Sequence, residues 1–196
     1  MSSGTVDSIS LEIHQLFDDE MQRVPHSIRP FISGNTNRYE SWEYFIGSYG
    51  KAFDILVENA LRAYPDPQLN VAIMYLSRHA IELSIKDAII AYAESAGQVD
   101  PVLSHNLLLL WEELLRQTEA AGFKNDDDWT VYCGKLVEYI HGFDATGEKF
   151  RYPANRRGVL FEMPDIDLKQ LAIAHWHIGM LCDGAIGMLD ALGRQS

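Results

Sequence analysis

The chain is short of several things. Two cysteines, Cys133 and Cys182, stand among 196 residues, too few for a disulfide framework or a thiolate zinc site. Positive charge is scarce as well: 16 Lys and Arg face 28 Asp and Glu, a formal net charge of -12. Such a surface repels phosphate backbones on average, which excludes sequence-independent nucleic-acid binding unless cations gather locally. Met1-Ser2-Ser3-Gly4 opens with neither a basic nor an apolar stretch, so no secretory signal is expected and the expected setting is a reduced cytoplasm. Residues 171–189 contain many apolar side chains but also His175, His177 and Asp183. A spanning helix needs about 20 predominantly apolar residues, and an internal Asp costs about 2.5–3.5 kcal/mol at the bilayer centre. No membrane contact is expected.

What is present suits a packed domain: 47% hydrophobic and 22% charged residues rule out disorder as the main description. The seven prolines, at 25, 30, 65, 67, 101, 153 and 164, leave long blocks free of the residue that breaks helix interiors. Residues 1–37 read as a short amphipathic helix (5–22) followed by a loop, and 38–196 as a helical bundle. In residues 38–64 Tyr44, Phe45, Tyr49, Phe53, Leu56 and Leu61 recur at helical spacing. Residues 68–95 are apolar on nearly every side and predict a central helix. Ser104 is the expected N-cap of a helix over 105–120, and Gly122 its stop. Asp126-Asp127-Asp128 suit the start of a helix ending near Phe143, because carboxylates complement the dipole there. Residues 147–163 lack a helical period and read as an extended excursion or small hairpin; Asp165 or Asp167 then caps a last helix to about Leu192. The expected fold is all-α, a four- or five-helix, mostly antiparallel bundle. Gly179, Gly184, Ala185 and Gly187 permit close helix approach on the last helix, which is where self-association into a homodimer is expected.

Familiar catalytic signatures are missing. Gly47-Ser48-Tyr49-Gly50-Lys51 has the wrong spacing for a phosphate-cradling P-loop, and neither a Gly-x-Ser-x-Gly elbow nor a dinucleotide fingerprint occurs. Glu138 and His141 form one Glu-x-x-His, where carboxylate-bridged di-iron bundles use two plus further glutamates; His79 and Glu82 make only a reversed pair. The imidazoles of His175 and His177 diverge by about 200° around a helix. No metal or other cofactor is therefore expected, and a carboxylate-bridged centre is the least favoured alternative.

One constellation stands out. Arg78, Glu82 and Lys86 sit at i, i+4 and i+8 on the otherwise apolar central helix, with His79 leaning to the same side. Either the stripe is solvated, each pair contributing about 0.2–0.5 kcal/mol, or it faces a cleft or a polar network that has lost water. Ser104-His105-Asn106 opens the next helix beside free backbone amides, which suit an anion. Lys149, Arg151, Arg156 and Arg157 place 4 of the 16 cations within nine residues, interleaved with Phe150 and Tyr152. That patch either stacks on a base and neutralises phosphate, or Arg151 pairs with Glu82 while the aromatics pack on the core. The expected ligand-binding set is Arg78, His79, Glu82, Lys86, His105, Arg151 and Tyr152.

In order and separation, Arg78 to Lys86, His105-Asn106 with Leu107 to Trp111, and Phe150-Arg151-Tyr152-Pro153 resemble a bacterial HEPN-like helical domain (higher eukaryotes and prokaryotes nucleotide-binding) over about residues 40–192. The resemblance implies a four- or five-helix bundle, often dimeric, that binds a protein partner, RNA or a nucleotide in stress response or toxin–antitoxin phage defence. Many such proteins are metal-independent ribonucleases whose signature is an Arg followed after four to six residues by a His. That motif is absent: Arg23 reaches His26 too soon and Arg78 adjoins His79. The leading expectation is thus a binding or regulatory component. The alternative is a ribonuclease in which His79 or His105 moves protons and Arg78 or Arg151 stabilises phosphate charge.

Overall fold

A computed structural model describes residues 41–62, 67–101 and 103–193; the short helix and loop expected in 1–37 lie outside the described residues. Five helices follow one another: α1 Trp42–Arg62, α2 Pro67–Ser95, α3 Leu107–Ala120, α4 Asp128–Phe143 and α5 Leu168–Gly193. Among the described residues there is no strand, and the fold is all-α. The segment between α4 and α5 makes a single antiparallel bridge, Ala154 to Leu160, closed by a turn in which the amide of Asn155 donates to the Val159 carbonyl at 2.9 Å. No helix is long and apolar enough to cross a membrane among the described residues.

The helix ends follow local chemistry. Asp127 accepts hydrogen bonds from the amides of Trp129 and Thr130, and Asp167 from those of Lys169 and Gln170, as capping carboxylates do. Gly122, with φ +90°, ends the turn after α3 in a conformation that favours glycine. One expected cap moves: Asn106, not Ser104, caps α3, its side-chain oxygen accepting from the amides of Leu108 and Leu109 at 3.0 and 3.2 Å. Ser104 instead accepts from the Asn106 amide at 2.8 Å. Just before the helix begins, the His105 carbonyl accepts from the buried Arg78 Nη2 at 2.7 Å.

The 29-residue α2 carries no glycine and is the rod against which α1, α3 and α5 all pack, while α4 closes the bundle against α3 and α5. Two apolar clusters meet along it. Ile81, Ile85 and Ile89 join Leu107, Leu110, Leu114, Val137 and Ile178; nearer its start, Ile73 and Met74 join Phe53, Val57, Phe150 and Leu171. Arg78 lies where one cluster gives way to the other.

Candidate functional site

The charged stripe of α2 is buried. Arg78, Glu82 and Lys86 are only 5%, 3% and 7% exposed, so the solvated reading of the stripe does not hold. Charges this deep need partners, since an unpaired one costs several kcal/mol. Both carboxylate oxygens of Glu82 are used: Oε2 accepts from Arg78 Nη1 at 2.9 Å, and Oε1 from Lys86 Nζ at 2.7 Å and from His105 Nδ1 at 2.8 Å. Burial works to raise the Glu82 carboxyl, but hydrogen bonds from Lys86, His105 and Arg78 and the Lys86 charge outweigh it and hold it below the ordinary glutamate range. Arg78 also donates to the carbonyls of Asp144 and His105, at 3.1 and 2.7 Å, with the Asp144 carboxylate 3.5 Å from Nε. Two segments distant in sequence, those of His105 and Asp144, are thereby tied to one guanidinium.

His105 is held twice, by its carbonyl and by its ring, yet its side chain is 77% exposed. An ionised carboxylate only accepts, so Nδ1 carries a proton toward Glu82 and the Nε2 edge of the ring is not used in this contact. His79 is stacked on Tyr75 with ring centroids 5.6 Å apart and meets the edge of Tyr49 at 4.6 Å. Burial lowers its pKa; the Glu82 charge opposes this, while the charges of Lys86, Arg78 and Arg151 reinforce it. His79 is therefore neutral at pH 7.

Arg78, His79, Glu82, His105 and Arg151 line one cleft of about 60 Å³, completed by Tyr75 and Gly147. Gly147 has φ +73°, and a Cβ there would stand 3.1 Å from Nη1 of Arg78, so this backbone lies flat on the guanidinium because it carries no side chain. Lys86 belongs to the network but lies behind Glu82, outside the cleft lining.

The basic segment divides. Phe150 is buried in the second core cluster, 4% exposed. Arg151 reaches the cleft and donates through Nε to the Gly147 carbonyl; it does not pair with Glu82, whose oxygens Arg78, Lys86 and His105 already occupy. Tyr152 does not join the cleft: it is exposed and lines a separate hollow with Val71, Phe150 and Pro153. The chain turns at this point, the amides of Arg151 and Tyr152 both donating to the Glu148 carbonyl at 3.0 Å, which breaks the alternation that would put Phe150 and Tyr152 on one face. Arg156 pairs with Glu148 at 3.3 Å and Lys149 lies 5.9 Å from the Phe143 ring centre, so one of the four cations serves the cleft.

Sequence reasoning missed Tyr49, Tyr75, Asp144 and Gly147. Tyr75 had a signal, since it precedes His79 by one helical turn; Asp144 and Gly147 had none, because their contacts depend on where the chain turns after α4. No group of three His, Cys, Asp or Glu fit for a metal forms among the described residues. Glu138 is exposed, and His141 Nδ1 is buried without a hydrogen-bond partner among the described residues. His175 Nδ1 meets Ser77 Oγ and His177 Nδ1 meets Tyr132 Oη, each at 3.2 Å, in different surroundings. Burial pushes the Cys133 thiol up to about 11, and that of Cys182 further up, so neither is a ready nucleophile.

Comparison with protein-family models, with curated proteins and with solved structures gives no match.

Proposed function

We propose that the chain is a HEPN-like bundle acting as a binding or regulatory component, of the kind used in bacterial stress response and toxin–antitoxin phage defence, and that its cleft takes one phosphate group of a nucleotide or RNA. The observation that carries this reading is the charge balance around the cleft. Within the network Arg78 and Lys86 answer Glu82 and Asp144, whereas Arg151 pairs with no carboxylate of the described residues. Beside the paired Arg78 and Glu82, the guanidinium of Arg151 and two imidazoles thus line a space of about 60 Å³, enough for a phosphate-sized anion and too small for a nucleobase. Arginine suits that role through its planar fork of donors.

Titration with inorganic phosphate, 5′-AMP and a short RNA, followed by NMR shifts of the histidine rings, tests it. Binding should weaken at least about tenfold in Arg151→Glu, with stability unchanged within about 0.5 kcal/mol because the residue is exposed. Unchanged binding in that variant overturns the reading. The ribonuclease alternative is favoured by one contact, Glu82 to His105 at 2.8 Å, which leaves the Nε2 edge to act as a base toward a ribose 2′-hydroxyl while neutral His79 and cationic Arg151 flank the phosphate. Cleavage of the same RNA with chelator present, lost in both His79→Ala and His105→Ala, would promote it.

Self-association is assigned to the C-terminal half of α5, where Gly184, Gly187, Met188 and Leu192 are exposed. Light scattering should give about twice the chain mass of 22.2 kDa; a mass at 22.2 kDa at micromolar concentration refutes it.

A further inference from the structure

A second concavity lies elsewhere on α2. Helices α1 and α5 both rest on this rod but touch each other little, and between them runs a groove of about 470 Å³. Its lining is amphipathic. Ile81 of α2 lies at its base, and Trp176 and Met180, 50% and 59% exposed, form the α5 wall. Gly47 and Gly179 leave the two walls bare, since a Cβ added at either would meet nothing within 4 Å. Along the edges stand Glu43, Asp54 and Asp183, against the lone cation Lys51 among the groove-lining residues.

The acidic groups there have no cationic partner, though Asp54 accepts from the Trp176 indole. None of Glu43, Asp54 or Asp183, nor Asp87 near them outside the lining, forms an ion pair among the described residues. The carboxyls of Asp54, Asp87 and Asp183 are all raised, first by burial, then by neighbouring carboxylates: Glu58 on Asp54, Asp183 and Glu43 on Asp87, and Glu43 on Asp183, with the Trp176 indole partly offsetting the rise at Asp54. A second polar group lacks a partner. His175 is 7% exposed and lines the groove; its Nδ1 is taken by Ser77, while Nε2 has no partner among the described residues and faces α1, 3.9 Å from the Cβ position of Gly50.

We propose that this groove is the docking site of a basic amphipathic helix from a partner protein, its apolar side on Trp176 and Met180 and its Lys or Arg side chains on Glu43, Asp54 and Asp183. Bare glycine walls let a helix backbone approach closely, and an apolar base with charged edges matches the helix-in-groove mode of recognition. Charge decides against the nearer occupants. Residues 5–22 of this chain carry Asp7, Glu12, Asp18, Asp19 and Glu20 and no Lys or Arg, and residues 23–38, which hold Arg23, Arg29 and Arg38, also hold Pro25 and Pro30, which an amphipathic helix excludes from its interior. A second copy brings another -12. The inference is independent of the phosphate cleft.

The test uses the full chain and a fluorescein-labelled 18-residue Leu/Lys peptide with helical amphipathic spacing, read by anisotropy. A scrambled peptide of the same composition and spermine serve as controls. The amphipathic peptide should bind, and the double variant Asp54→Asn/Asp183→Asn should bind it about tenfold or more weakly. Gly179→Leu, which fills open space, should abolish binding with the thermal midpoint unchanged or raised. Arg151→Glu should leave peptide binding as it was, so failure here and failure at the phosphate cleft are separable. No binding, equal binding by the groove variants, or equal affinity for the scrambled peptide or spermine overturns the proposal. So does a dimer that Gly179→Leu converts to monomer, since the occupant is then a second copy.

Discussion

Replacing Glu82 with alanine is expected to lower the unfolding free energy by about 3–5 kcal/mol. Its carboxylate is the anion shared by Arg78, Lys86 and His105, and without it two cations stay buried with only Asp144 near one of them. Urea unfolding followed by circular dichroism measures the loss; a change within about 0.5 kcal/mol would mean that the stripe is solvated after all. Should the variant not fold, the triple variant Arg78→Met/Glu82→Leu/Lys86→Met separates the causes. Apolar replacement of a buried ion network is often neutral or stabilising by about 1–4 kcal/mol. Here recovery should be partial, because the carbonyls of His105 and Asp144 also lose their donor. The network also has a pH signature. With its carboxyl held below the ordinary value of 4.5, Glu82 contributes stability that is present above that pH and is lost as pH falls through the folded value.

His175 is expected to make the fold weaken earlier on acidification. Burial pushes its pKa down from 6.5 to about 4, against a smaller opposing effect of Ser77, and the ring stacks on Phe53 with centroids 4.1 Å apart. Between those two values the unfolded chain holds a proton that the folded chain does not, so stability falls as pH drops through that window. At about 1.4 kcal/mol per pH unit the loss approaches about 3 kcal/mol by pH 4. The raised carboxyls of Asp54, Asp87 and Asp183 act oppositely, since the folded state takes up their protons first. The comparison is therefore between the wild-type chain and His175→Gln, which keeps a polar partner for Ser77 and cannot titrate. Urea midpoints from pH 7 to 4 should fall more steeply for the wild-type chain; parallel curves would show that His175 is protonated freely in the folded state.

Residue order by itself determined the helices and the spacing within them. Proline positions, apolar period and carboxylates near helix starts act over a few residues, so α1 to α5 were legible, with Asp126 to Asp128 at the start of α4 and Asp165 or Asp167 as the cap of α5, as was the i, i+4 alignment of Arg78, Glu82 and Lys86. Whether that stripe met water was not, because burial depends on which other segments cover α2. The start of α3 and the turn after α4 do so, and they make Glu82 the partner of Arg78 and His105 rather than of Arg151. The same long-range packing laid Gly147 on the Arg78 guanidinium. Local propensity is settled by neighbours along the chain, whereas the meeting of Arg78, His105, Asp144 and Arg151 is settled by segments as many as 73 positions apart folding against one rod.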